Sequence, residues 1–108
     1  MSSKNLTSKE RAYLRGLANT IDTIFQIGKG GLCPNFYTQV DEALEKRELI
    51  KLCILENSVE NPKEAAELLA RGTNSQSVQV IGRKIVLYRE AKEKENRKII
   101  LPKTGKVK

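Results

Sequence analysis

The sequence predicts one α/β (α+β) domain with three helices and a mixed four-stranded sheet, in the order helix, strand, helix, strand, helix, strand, strand. Three observations predict it. Two apolar runs, Thr23 to Ile27 and Leu49 to Leu55, are each followed by a helix-start signal that contains a proline, the pattern of strand-helix-strand passages. Two further runs, Val78 to Ile81 and Lys84 to Tyr88, flank the two residues Gly82-Arg83, as in a tight hairpin. The chain has 108 residues, a length at which one domain buries roughly two-thirds of its unfolded surface in a single core.

The first helix begins at Thr7-Ser8-Lys9-Glu10, a capping box in which a threonine hydroxyl and a glutamate three residues on answer each other's backbone N–H. Tyr13, Leu14, Leu17 and Ala18 then share a helical face. Arg11 and Arg15 stand one turn apart on another face. Such a pair reads as a solvated surface or, more sharply, as a contact for a phosphate chain. Thr23 to Ile27 is a short strand rich in β-branched and aromatic residues. The second helix runs from Pro34 to Lys46, with proline where its missing N–H does no harm. Phe36, Val40, Ala43 and Leu44 should face the core, leaving Asp41, Glu42 and Glu45 as the wet side.

Leu49 to Leu55 is nearly continuous apolar, as in a strand covered on both faces. Asn61-Pro62-Lys63-Glu64 restates the helix-start code. Ala65, Ala66, Leu68, Leu69 and Ala70 carry the third helix, and Gly72 is expected to end it in the left-handed conformation. Thr73 to Ser77 is a polar loop. Gly82-Arg83 then makes a type II′ turn, with Arg83 and Lys84 at its tip. Two strand-helix-strand passages imply right-handed crossovers and locally parallel pairing, and the closing hairpin makes the sheet mixed. The domain is expected to occupy residues 1–102, with Ile99-Ile100-Leu101-Pro102 packed on it as an extended piece. A disordered basic tail, 103–108, follows.

Between the first strand and the second helix lies Gly28-Lys29-Gly30-Gly31. A strand that ends in glycines and feeds a helix N-terminus suits an anion. The first-turn N–H groups lack intrahelical partners, the helix dipole adds partial positive charge, and glycine lets backbone approach a phosphate. G-x-x-G is also the spacing that clamps a nucleic-acid backbone in a known RNA-binding module, although most such strings are turns.

Composition narrows the function. The formal net charge is +7, which favours polyanionic partners, and the stretch from Glu90 to Lys108 alone contributes seven Lys/Arg against three Glu. There is no histidine, which removes the commonest general base and metal ligand. Cys33 and Cys53 are too far apart for a C-x-x-C site and lack the partners zinc needs. Two reduced thiols in a cytosolic protein are expected, with a disulfide left open. No phosphate loop of the G-x-x-x-x-G-K-[ST] type occurs. No apolar run approaches a membrane span, and the N-terminus carries no apolar signal core. No cofactor, metal, membrane or small-molecule substrate is expected, and no catalysis.

Four segments resemble a known family. They are Leu14-Arg15-Gly16-Leu17-Ala18, Ile27-Gly28-Lys29-Gly30-Gly31-Leu32, the run from Ala43 to Lys51, and the run from Val78 to Arg89. In this order they are similar to the CRM (chloroplast RNA splicing and ribosome maturation) domain in its bacterial stand-alone YhbY-type form, over roughly Leu6 to Pro102. The resemblance implies a fold akin to the C-terminal domain of translation initiation factor three. It also implies RNA binding through the glycine loop and, for bacterial members, association with precursors of the large ribosomal subunit.

The expected RNA-binding residues are Gly28, Lys29, Gly30 and Gly31, with Arg15, Lys51, Arg83 and Lys84 extending a phosphate track and Tyr37 as a base-stacking candidate. A cytoplasmic monomer is expected. The alternative is a protein-interaction factor in ribosome assembly, for which RNA contact is secondary.

Overall fold

A computed structural model describes residues 7–28, 32–56, 61–96 and 99. Lys29, Gly30, Gly31 and the tail from residue 100 lie outside the described residues. The elements are α1 (Ser8–Ala18), β1 (Thr23–Ile27), α2 (Pro34–Arg47), β2 (Leu49–Ile54), α3 (Pro62–Thr73), β3 (Gln76–Ile81) and β4 (Lys84–Tyr88). A short 3₁₀ turn, Lys94–Asn96, follows. The capping box of α1 is formed: the Glu10 N–H donates to Thr7 Oγ1 at 3.1 Å and the Thr7 N–H to Glu10 Oε1 at 3.0 Å. Asn61 caps α3 by accepting from the N–H groups of Lys63 and Glu64. Each such cap is worth about 1 kcal/mol.

The sheet order is β1-β2-β4-β3. β1 pairs parallel with β2, and β4 pairs antiparallel with both β2 and β3. The first passage, β1-α2-β2, therefore gives the expected parallel neighbours. The second does not. β3 lands two strand positions from β2, and the hairpin returns β4 into the gap between them, where it bonds on both sides. The gap is filled because Ile85 and Leu87 on one face of β4 and Val86 and Tyr88 on the other are all buried, as a central strand requires.

Alternation along β2 and β4 divides two cores. Ile50, Leu52, Ile54, Ile85 and Leu87 pack against Val40 and Leu44 of α2 and Ala65, Ala66 and Leu69 of α3. On the other face Leu49, Val86, Tyr88 and Val78 pack against Leu14 and Ala18 of α1. The sheet thus lies between two helices and one helix. Phe25 and Phe36 meet edge-on, with ring centroids 5.5 Å apart, and both pack on the larger core.

Further expectations are corrected. α3 continues through Thr73, and Asn74, not Gly72, is left-handed, with a φ of 59°; asparagine is the other residue that tolerates this conformation. Gly72 is needed for a different reason. A Cβ there would lie 2.7 Å from Tyr37 Cε1, so the ring of α2 rests on the bare backbone of α3. β3 begins at Gln76, inside the stretch expected to be loop, with an irregular register between Ser77 and Gln79. The carbonyls of Ser77 and Val78 accept from Arg11 Nη1 at 2.7 and 3.1 Å. Arg11 therefore ties α1 to the sheet edge rather than facing a phosphate chain.

A last correction concerns the acidic face of α2. Arg89, buried behind β4, donates to the Asp41 carboxylate, the Asp41 carbonyl and the Thr73 carbonyl. Glu45 accepts from the N–H groups of Lys92 and Glu93 and from the Asn96 amide. These bonds, the Lys92 N–H foremost, hold its carboxyl down at about 2. Glu48 is fully buried, ends α2 with a φ of 66°, and accepts from the N–H groups of Ala91 and Ile99 at 2.8 Å each. Asp41 and Glu45 are thus anchors for the chain beyond β4, while Glu42 and about half of the Asp41 side chain still face solvent. Ile99 packs on the α1 side; the rest of the piece expected to pack there lies outside the described residues.

Candidate nucleic-acid interface

In the parallel pair β1-β2 both strands finish at the same end of the sheet, and the antiparallel hairpin turns there too. Backbone bonds fix the convergence. The Leu55 N–H donates to the Ile27 carbonyl at 2.9 Å, and the Ile54 N–H to the Arg83 carbonyl at 2.8 Å. Arg83 Nη1 lies 3.5 Å from the Leu55 carbonyl. The hairpin tip, the end of β2 and Gly28 are therefore consecutive along one rim, the carboxyl end of the parallel strands, where ligands of open α/β sheets bind. Gly82 has a φ of 57°, as the first position of a II′ turn demands, so the turn chemistry is what presents Arg83.

Gly28 is not required by packing. A Cβ there would sit 3.7 Å from Leu55 Cδ1, an ordinary contact, and its φ is not left-handed. The fold would accept alanine at this point of the rim. Lys29, Gly30 and Gly31 lie outside the described residues. α2 then starts at Pro34, and the Cys33 side chain makes no capping hydrogen bond. Cys33 and Cys53 are free thiols.

Lys51 and Lys84 are on the α1 face of the sheet, since Lys51 pairs with Val86 and Lys84 with Cys53 and Ile81, and cross-strand partners share a face. Lys84 and Arg83 are exposed and Lys51 half-buried. Among the described residues, none of the three has a carboxylate within ion-pair distance. Arg15 is half-buried on α1, the helix that covers the other part of this face. Tyr37 is engaged on Gly72, near the C-terminal end of α3, rather than at the hairpin tip. Gln26 was not singled out from sequence. It is exposed beside Cys53, and its place next to the buried Ile27 in an alternating strand was the available signal. No group of three or more His, Cys, Asp or Glu that could hold a metal is present among the described residues. No helix among them is long and apolar enough to cross a membrane.

The rim therefore offers cations, backbone and few aromatic faces, which suits a phosphate chain better than a stacked base. The family model for the CRS1 / YhbY (CRM) domain matches residues 6–89. The chain belongs to the CRM domain family. It is 50% identical over 97 residues to "Probable RNA-binding protein YqeI" of Bacillus subtilis, covering 90% of this chain and 99% of that protein. An "RNA-binding protein" of Haemophilus influenzae is 32% identical over 98 residues, covering 91% of this chain and 96% of its own length. The solution structure of the Staphylococcus aureus protein SAV1595 superposes with a TM-score of 0.72 at 52% identity, covering 91% of this chain and all of that one. The three helices and mixed four-stranded sheet are thus the CRM fold, and residues 6–89 of the family match span every helix and strand from α1 through β4.

Proposed function

We propose that this CRM domain binds RNA without catalysis, and that its target is ribosomal RNA in precursors of the large ribosomal subunit. The observation that carries the reading is the convergence of Gly28, Leu55 and Arg83 on one rim, joined to a net charge of +7 and to relatives named as RNA-binding proteins. On this reading Gly28, Lys29, Gly30 and Gly31 let backbone approach the ribose-phosphate chain, and Arg83 adds a planar guanidinium at the neighbouring tip. Such contacts fix position more than sequence. Selectivity for a ribosomal precursor then comes from RNA shape, and the protein acts as a cytoplasmic monomer.

Crosslinking in growing cells tests the target. Crosslinks concentrated in large-subunit precursor RNA are expected, at positions that disappear when Arg83 is changed to Ala. Crosslinks spread over unrelated RNAs would remove the ribosomal assignment. No crosslinks at all, with the partner captured being protein, would favour an assembly factor that touches RNA only secondarily.

A further inference from the structure

α1 covers only part of its face of the sheet. Leu49, Val78, Val86 and Tyr88 are buried beneath it. Toward the rim no helix among the described residues covers the same face. Register places Gln26, Lys51, Cys53, Ile81 and Lys84 there. Gln26 and Lys84 are exposed, Lys51 and Cys53 half-buried, and Ile81 is 61% exposed.

None of the strand residues on this half is acidic. Lys51 and Lys84 are diagonal neighbours across the β2-β4 pair, which sets their Cβ atoms about 7 Å apart. That is close to the distance between successive phosphates of an extended strand. The surface is continuous with the rim, because Lys84 follows Arg83 directly and Gln26 lies two residues before Gly28.

We infer that the rim-side half of the sheet face is a second RNA surface, over which a single strand leaving the glycine rim runs with successive phosphates on Lys84 and Lys51. The inference rests on the RNA-binding reading and extends it from the rim to the sheet face beside it. Contact there is electrostatic. No aromatic ring among the described residues stands on this half, so bases receive no stacking platform and the track is indifferent to sequence. Gln26 supplies an amide that donates to phosphate or ribose oxygens. Cys53 lies under the path as a natural reporter, since its thiol is half-buried between Gln26 and Lys84.

The test uses the full chain and unstructured single-stranded RNA of mixed sequence. Binding is measured from low to physiological salt for the wild type, for a Lys51→Gln/Lys84→Gln double variant and for Lys29→Ala. Losing two phosphate contacts should flatten the log-log salt slope of the double variant by about 1.4, at about 0.7 each for single strands. Lys29→Ala should flatten it by about half as much. A second readout uses Cys33→Ser protein, in which bound RNA should slow alkylation of Cys53 several-fold. An unaltered slope in the double variant, or unprotected Cys53, with wild-type binding intact, overturns the track and leaves the rim reading standing. Failure of the wild type to bind RNA overturns both. Protection of Cys53 by an acidic protein but not by RNA would reassign the face.

Discussion

The two ends of the sheet handle charge in opposite ways. At the end where β4 finishes, Arg89 is buried against Asp41 and the Thr73 carbonyl, and Glu45 and Glu48 accept backbone N–H groups from the chain beyond β4. At the rim where β1 and β2 finish, Arg83 and Lys84 are exposed, with no carboxylate partner among the described residues. The comparison teaches which charges the fold itself uses. A buried ion must be paired and hydrogen-bonded to be tolerated, so the closed end is structural. Exposed cations contribute little to stability, so those at the open rim are available to a partner.

The largest expected effect lies at the closed end. Arg89→Ala leaves the Thr73 carbonyl and Asp41 without their donor, and should cost about 2–4 kcal/mol in urea denaturation. RNA affinity per folded molecule should stay at the wild-type value. A specific loss of affinity in folded protein would break the division between the ends.

Gly72→Ala comes next. The added Cβ meets the Tyr37 ring, and overpacking of this kind costs about 1–3 kcal/mol. In a Tyr37→Ala background the same change should instead stabilise, by up to about 1 kcal/mol, because alanine is the better helix former. A thermodynamic cycle over the two positions measures the reversal, and additive effects would contradict the contact.

Arg83→Ala sharpens the comparison from the open side. Stability should change by no more than about 0.5 kcal/mol, while the salt dependence of RNA binding flattens by about 0.7 in the log-log slope. The smallest effect is at Glu45. Its folded-state carboxyl titrates near 2, below its ordinary 4.5, so its contribution is complete above the ordinary value and fades as pH falls toward 2. Amide exchange at Lys92 and Glu93 should accelerate across that window relative to β2 amides. Glu45→Gln should remove most of the pH dependence.

Much of the fold was legible because local chemistry announces it. Thr7 and Glu10, Pro34, Asn61 with Pro62, and Gly82 each specify a start or a turn whose geometry few other residues satisfy. The insertion of β4 between β2 and β3 was not legible, since it depends on which strand can be buried on both faces beside β2. The anchoring by Glu45 and Glu48 was hidden for a related reason. A carboxylate on a helix reads as solvated until a distant segment brings N–H groups to it, and nothing marks glutamate as a left-handed helix end. Asn74 takes the left-handed position two residues past Gly72, whose bare backbone lies against Tyr37. At the rim, residue types were readable but their grouping was not. Only the parallel ending of β1 and β2 and the return of the hairpin bring Arg83 to Leu55 and Leu55 to Ile27, and only the register puts Lys51 and Lys84 on one face.

The most direct measurement is the affinity of the wild-type protein for single-stranded RNA across a range of salt. If about four phosphates are held by the open rim and the surface beside it, the log-log slope should be near −3. A slope near zero, with binding retained, would mean that the exposed cations do not meet phosphate and would contradict the account.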